Sequence, residues 1–226
     1  MSRETDSPAV VGILAVQGDV CEHARVLTAL GAQVREVRAP ADLGGLGGLV
    51  IPGGESSVMD KLTRLLGLAP ALQEAVRGGL PVYGTCAGMI MLAERIANPI
   101  AGQHSLGGLD VTVARNAFGS QVHSFETELA VPMVSADPVH AVFIRAPAVV
   151  EVGQGVEVLS SVPTARLEDP SILPDGGSLA SSGQVPVAVR QGSVLATSFH
   201  PEVTGDWSFH RYFLEQLVLP GRGPRR

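Results

Sequence analysis

The chain is poor in cysteine, in aromatic side chains and in basic charge, and it carries no long apolar run. Its two cysteines, Cys21 and Cys86, lie far apart with no Cys-x-x-Cys spacing. That excludes a disulfide framework and a cysteine-based zinc site, and it suits a reducing, cytoplasmic setting. Against 22 acidic residues stand only 16 basic ones, a net charge of −6. Such a balance offers no electrostatic footprint for nucleic acid or an anionic membrane surface. No stretch reaches the roughly 18 apolar residues that a membrane-spanning helix needs. The opening Met1-Ser2-Arg3-Glu4-Thr5-Asp6-Ser7-Pro8 is polar, unlike a secretory signal.

What is present is the composition of a folded protein, 45% hydrophobic and 17% charged over 226 residues. That length fits one well-filled α/β domain, 1–226, with disordered tails at 1–8 and 220–226. Val10 to Val16 is an apolar, β-branched run, as expected of a strand buried on both faces of a parallel sheet. After Gln17-Gly18, Asp19 can cap a helix through Glu22, His23 and Leu27 that stops near Gly31. Gln33 to Arg38 and Gly48 to Ile51 read as the next strands, and helical patterns follow over Val58 to Leu66 and Ala69 to Arg77. Beyond Asn98-Pro99, the runs Leu109–Arg115, Ser124–Val131 and Val142–Arg145 are short and alternating, which predicts a few antiparallel strands added to the parallel sheet. The segment 163–186 reads as a long loop between strands at Val156–Leu159 and Val187–Arg190, and a last helix is expected over Gly205 to Leu219.

The chemistry is suggested by three corners. Leu80-Pro81-Val82-Tyr83-Gly84-Thr85-Cys86 is a strand ending at a cysteine, and Ala87 to Arg95 reads as the helix that follows. A thiol at a helix start, between Gly84, Ala87 and Gly88, suits acyl transfer, with the Ala87 N–H placed to hold an oxyanion. By itself, Cys86 fits a buried structural cysteine slightly better. Pro52-Gly53-Gly54-Glu55-Ser56 closes another strand and can turn backbone N–H groups outward, although a lone Gly-Gly is more often an ordinary turn. Val194 to Phe199 leads into His200-Pro201-Glu202, where an extended segment would point base and carboxylate the same way. Singly, His200 and Glu202 read as surface residues. Together the corners suggest nucleophile, base and orienting acid at the carboxyl ends of neighbouring strands. His23, His104, His123, His140 and His210 lack such a pairing and read as structural or surface residues.

Gly84-Thr85-Cys86-Ala87-Gly88 with Ser198-Phe199-His200-Pro201-Glu202 resembles the triad-type glutamine amidotransferases. Gln17-Gly18, Glu22-His23, Pro52 to Ser56, Arg115-Asn116-Ala117-Phe118-Gly119 and Phe143-Ile144-Arg145-Ala146-Pro147 resemble one branch, the glutaminase subunits of pyridoxal 5′-phosphate synthase. Ile90, where many other triad amidotransferases carry Gln, favours that branch. The resemblance implies a flavodoxin-like, doubly wound, mostly parallel α/β sheet with helices on both faces. It implies hydrolysis of L-glutamine to glutamate and ammonia, with Cys86 as nucleophile, His200 as proton shuttle and Glu202 as its orienting acid. Gly54, Glu55, Ser56, Arg115, Ile144 and Arg145 fall where the family binds glutamine, and the N–H groups of Gly54 and Ala87 at the oxyanion hole. Neither cofactor nor metal is implied. The implied partner is a pyridoxal 5′-phosphate synthase subunit in a large hetero-oligomer, in a lyase complex whose glutaminase is weakly active alone. Alternatives are an amidotransferase subunit serving a histidine- or purine-pathway synthase, and a non-catalytic binding module of the same fold.

Overall fold

The computed structural model describes residues 9–119, 124–174 and 177–220. The first half alternates strand and helix: β1 (Val10–Leu14), α1 (Val20–Ala29), β2 (Gln33–Val37), β3 (Gly48–Ile51), α2 (Ser56–Leu65), α3 (Leu68–Arg77), β4 (Val82–Thr85) and α4 (Ala87–Leu92). Such an order builds a parallel sheet, because parallel neighbours require crossovers. The strands β5 (Ala93–Ile96), β6 (Leu109–Ala114), β7 (Phe125–Leu129), β8 (Val139–Phe143), β9 (Ala148–Val152) and β10 (Glu157–Pro163) follow, then α5 (Ser178–Ser182), β11 (Gln184–Gln191), β12 (Val194–Thr197), α6 (Pro201–Thr204) and α7 (Ser208–Tyr212).

The main sheet has seven strands in the order β10-β11-β12-β4-β3-β1-β2. β2, β1, β3, β4 and β12 run parallel, whereas β11 and β10 are antiparallel additions. Side chains alternate across it as the pleat demands. Val50, Tyr83 and Leu195 enter one core layer with Phe199, Phe209 and Phe213, and Leu49, Ile51, Val82 and Ala196 enter the other with Met59, Leu72 and Met89. Both faces of the central strands are therefore covered, which explains their unbroken apolar sequence. The hairpin β7–β8 is pinned by Phe143, stacked on Phe125 with centroids 4.4 Å apart and in contact with Phe118 and Phe199.

Three regions differ most from the sequence expectations. The helix after Cys86 ends at Leu92 instead of Arg95, because Ala93–Ile96 pairs in parallel with β6, a partner distant in sequence. The segment 163–186 is shorter as a loop than expected. β10 runs on to Pro163, β11 starts at Gln184 and pairs with it, and the connection holds 3₁₀ turns at Thr164–Arg166 and Pro170–Ile172 as well as α5. Leu167 and Leu173 anchor it in the core. The last helix breaks in two: α7 passes into a π-helical stretch, Phe213–Val218. The tails 1–8 and 221–226, and His123, lie outside the described residues. Among the described residues, no helix is long and apolar enough to cross a membrane.

Candidate active site

Three adjacent parallel strands, β3, β4 and β12, deliver the three corners to one end of the sheet. Their register places Gly84 beside Ile51 and Ala196, and Thr85 beside Thr197. Gly53-Gly54, Cys86 and His200 therefore leave the sheet side by side, in the crevice where open α/β sheets bind ligands.

Cys86 sits at φ 47°, ψ −102°, and its N–H donates to Thr197 O at 2.8 Å. The corner is possible because Gly88 has no side chain: a methyl there would overlap the carbonyl oxygen of Ile51. Among the described residues, three non-glycine residues have positive φ, Cys86, Asn116 and Arg145, and all three line the same cavity of about 270 Å³. Local strain concentrated in one pocket is a mark of function. The cavity is also lined by Gly54, Glu55, Ser56, Ala87, Arg115, Ile144 and His200, so every expected substrate-binding and oxyanion position reaches it. Gln17, Asp19, Ile90 and Val203 line it as well.

His200 is nearly buried, and its Nδ1 lies 2.7 Å from Glu202 Oε1. The pairing does not arise from an extended segment as expected. His200 precedes the one-turn helix α6, and the turn folds Glu202 back beneath the imidazole. Glu202 is buried behind His200 and does not line the cavity. Asp19 does not cap α1 with its side chain; its Oδ2 lies 3.4 Å from the same His200 Nδ1. Burial opposes the charged imidazole, but hydrogen bonds to Asp19, Cys86 and Glu202, together with the Cys86 charge, outweigh it and push His200 up to about 12. Burial raises Glu202, against the bond to His200. Asp19, His200 and Glu202 also form a cluster whose ligand atoms lie within 4.8 Å of one another. His200 Nδ1 faces both carboxylates, so an imidazolium proton supplies the positive charge that a metal ion would.

On the opposite wall, Arg115 Nη2 donates to Glu55 Oε1 at 3.1 Å, while Arg115 Nε is buried without a partner among the described residues. Gln17 Oε1 accepts from the Glu55 N–H at 2.8 Å and braces the Gly53-Gly54 turn. The Ser56 hydroxyl is held by Gln103 at 3.0 Å. The sequence reading did not place Gln17, Asp19 or Asn116 in the site. Asp19 has the residue type of a helix cap, and only the fold turns it toward His200.

A strand-to-helix cysteine opposed by a histidine-carboxylate pair, on a mostly parallel sheet, defines a class of α/β proteins. A solved crystal structure of a glutamine amidotransferase is 44% identical, with a TM-score of 0.77 over 93% of this chain and 99% of its own. The chain belongs to the SNO glutamine amidotransferase family, whose pattern matches residues 13–219. It is similar to the pyridoxal 5′-phosphate synthase subunit PdxT of Clavibacter sepedonicus, 55% identical over 96% of this chain and 94% of the relative. The PdxT subunit of Leifsonia xyli subsp. xyli is 57% identical over 92% and 95%.

Proposed function

We propose that this chain is the glutaminase subunit of a pyridoxal 5′-phosphate synthase, a single catalytic domain that hydrolyses L-glutamine and passes the ammonia to a synthase subunit. The observation that carries the reading is that Cys86 and His200 line one strained pocket, with Glu202 Oε1 2.7 Å from His200 Nδ1 behind them. Family membership and the PdxT relatives support the substrate and the partner.

Cys86 Sγ attacks the side-chain carbonyl carbon of glutamine, and the oxyanion that forms lies against the backbone N–H groups of Gly54 and Ala87. An N–H at the first turn of a helix has no intrahelical acceptor, so the Ala87 donor is already available. The imidazolium of His200 gives its proton to the departing nitrogen, which leaves as ammonia, and a γ-glutamyl thioester remains. His200, now neutral, takes a proton from water. The hydroxide adds to the thioester carbon, the C–S bond breaks, and glutamate departs with the Cys86–His200 pair restored. Glu202 holds the imidazole in one orientation through both halves. Arg115 is suited to the substrate α-carboxylate through its guanidinium fork, and Glu55 to the α-ammonium. Ser56, Ile144 and Arg145 complete the walls.

The partner is the synthase subunit in a large hetero-oligomer, and nucleic acid has no part in it. The test is glutamate release from L-glutamine by the purified chain, with and without a pyridoxal 5′-phosphate synthase subunit, and with Cys86→Ala as the blank. Release that depends on the synthase and disappears in Cys86→Ala is expected. Full release without the synthase would overturn the partner dependence, and release that survives Cys86→Ala would overturn the mechanism.

A further inference from the structure

On the side of Glu202 away from the pocket lie two histidines that the proposed reaction does not use. His23 on α1 and His210 on α7 are both fully buried, with His23 Nδ1 2.9 Å from His210 Nε2. The other ring nitrogen, His23 Nε2, lies 3.1 Å from Thr85 Oγ1 and 3.7 Å from Glu202 Oε2. Thr85 is the residue before the cysteine. Among the described residues, Glu202 Oε2 and His210 Nδ1 are buried side-chain atoms with no hydrogen-bond partner.

Burial keeps both rings neutral, so each carries one N–H. There are two ways to share a hydrogen bond between them. If His23 donates from Nδ1, the His210 proton must sit on Nδ1, where it is a buried N–H with no acceptor. His23 then turns a bare lone pair toward the Glu202 carboxylate. If both protons sit on Nε2, His210 donates to His23 Nδ1, and the His23 Nε2–H faces Thr85 Oγ1 and Glu202 Oε2. The ring nitrogen left without a partner is then an unprotonated one, His210 Nδ1, and no buried N–H of the pair lacks an acceptor. Orphaned buried donors are the rarer and costlier case, so the second arrangement prevails.

We propose that His23 and His210 form a buried donor relay, His210 Nε2–H to His23 and His23 Nε2–H toward Glu202 and Thr85, that positions the Glu202 carboxylate behind His200. Both are positioning residues. They touch neither substrate nor Cys86, and they act by turning the positive end of the His23 N–H toward the outer Glu202 oxygen across 3.7 Å, while His200 takes the inner one. Without the relay, that oxygen is a buried charge facing nothing, and a proton settles on Glu202 more readily. The other titratable groups around the relay are His200, Asp19 and Tyr83 about Glu202, and Asp206 beside His210.

The role in catalysis rests on the glutaminase reading above, but the protonation pattern does not, and the experiment separates them. Long-range nitrogen–proton spectra of the full chain with labelled histidine report the tautomer of each ring. Nε2–H on both His23 and His210 is expected, and Nδ1–H on His23 would overturn the relay whether or not the chain hydrolyses glutamine. In the glutaminase assay with the synthase subunit, His23→Leu should lower kcat by about tenfold with KM unchanged. It should also move the acid limb of kcat to higher pH. His23→Gln, which keeps a donor near Nε2, should recover most of kcat and the original limb. Equal losses in the two variants, or a His23→Leu profile with an unmoved acid limb, would make the pair merely structural and overturn the proposal. Where His23→Leu fails to fold, the spectra of the unaltered chain decide.

Discussion

Acid unfolding tests the buried histidines. Burial drives His210 from the ordinary 6.5 down to about 4, against a weaker upward pull from Asp206. His23 is lowered too, first by burial and then by the charges of His210 and His200. Above pH 6.5, His210 is neutral in the folded and the unfolded chain and contributes no pH dependence. As the pH falls below that value, the unfolded chain takes up a proton that the folded chain refuses until about pH 4. Stability therefore drops with acid through this window. At about 1.36 kcal/mol per pH unit, a step from about pH 7 to about pH 5 removes about 2 kcal/mol through His210 alone. For a domain whose total stability is about 5–15 kcal/mol, that is a large share. His210→Gln keeps a donor to His23 but does not titrate. Urea unfolding of both proteins at the two pH values measures the difference, and the unaltered chain should lose about 2 kcal/mol more than the variant. Equal losses would refute the reasoning, because the imidazole would then be taking up its proton in the folded state.

Gly88→Ala should destabilise the chain by about 3 kcal/mol or prevent folding, since backbone rather than a movable side chain occupies the space. Thermal melting checks this, and a stable variant would mean that the cysteine corner tolerates widening. Arg115→Lys keeps the charge but loses the guanidinium fork, so KM for glutamine should rise by about tenfold or more while kcat changes little. Steady-state glutaminase kinetics with the synthase subunit check it, and an unchanged KM would remove Arg115 from substrate binding.

Strands β1, β3, β4 and β12 were legible because burial on both faces writes an unbroken apolar run ending in a turn residue. The cysteine, glycine and histidine corners were legible for the same reason, each standing where such a run stops. Helix ends were less so. The residues Ala93–Ile96 have no local signal separating them from α4, and their strand pairing comes from β6. The connection after Pro163 reads as a loop because Ser, Pro and Gly dominate it, while its anchoring by Leu167 and Leu173 depends on a core assembled elsewhere. Asp19 illustrates the same limit. A carboxylate before a helix satisfies the capping rule, yet this one turns toward an imidazole 181 positions further along the chain.

The amino-acid order by itself determined the α/β class, the three corners and the residue types able to attack and to shuttle a proton, because those depend on hydrophobic period and side-chain chemistry within short windows. The tertiary structure alone decided which corners adjoin, through the strand order that sets β3, β4 and β12 side by side. It also decided that a helical turn, not an extended segment, brings Glu202 to His200, and that two histidines 187 positions apart meet behind them. Distances between elements far apart in the chain follow from packing the whole core at once, and no local window of sequence contains that information.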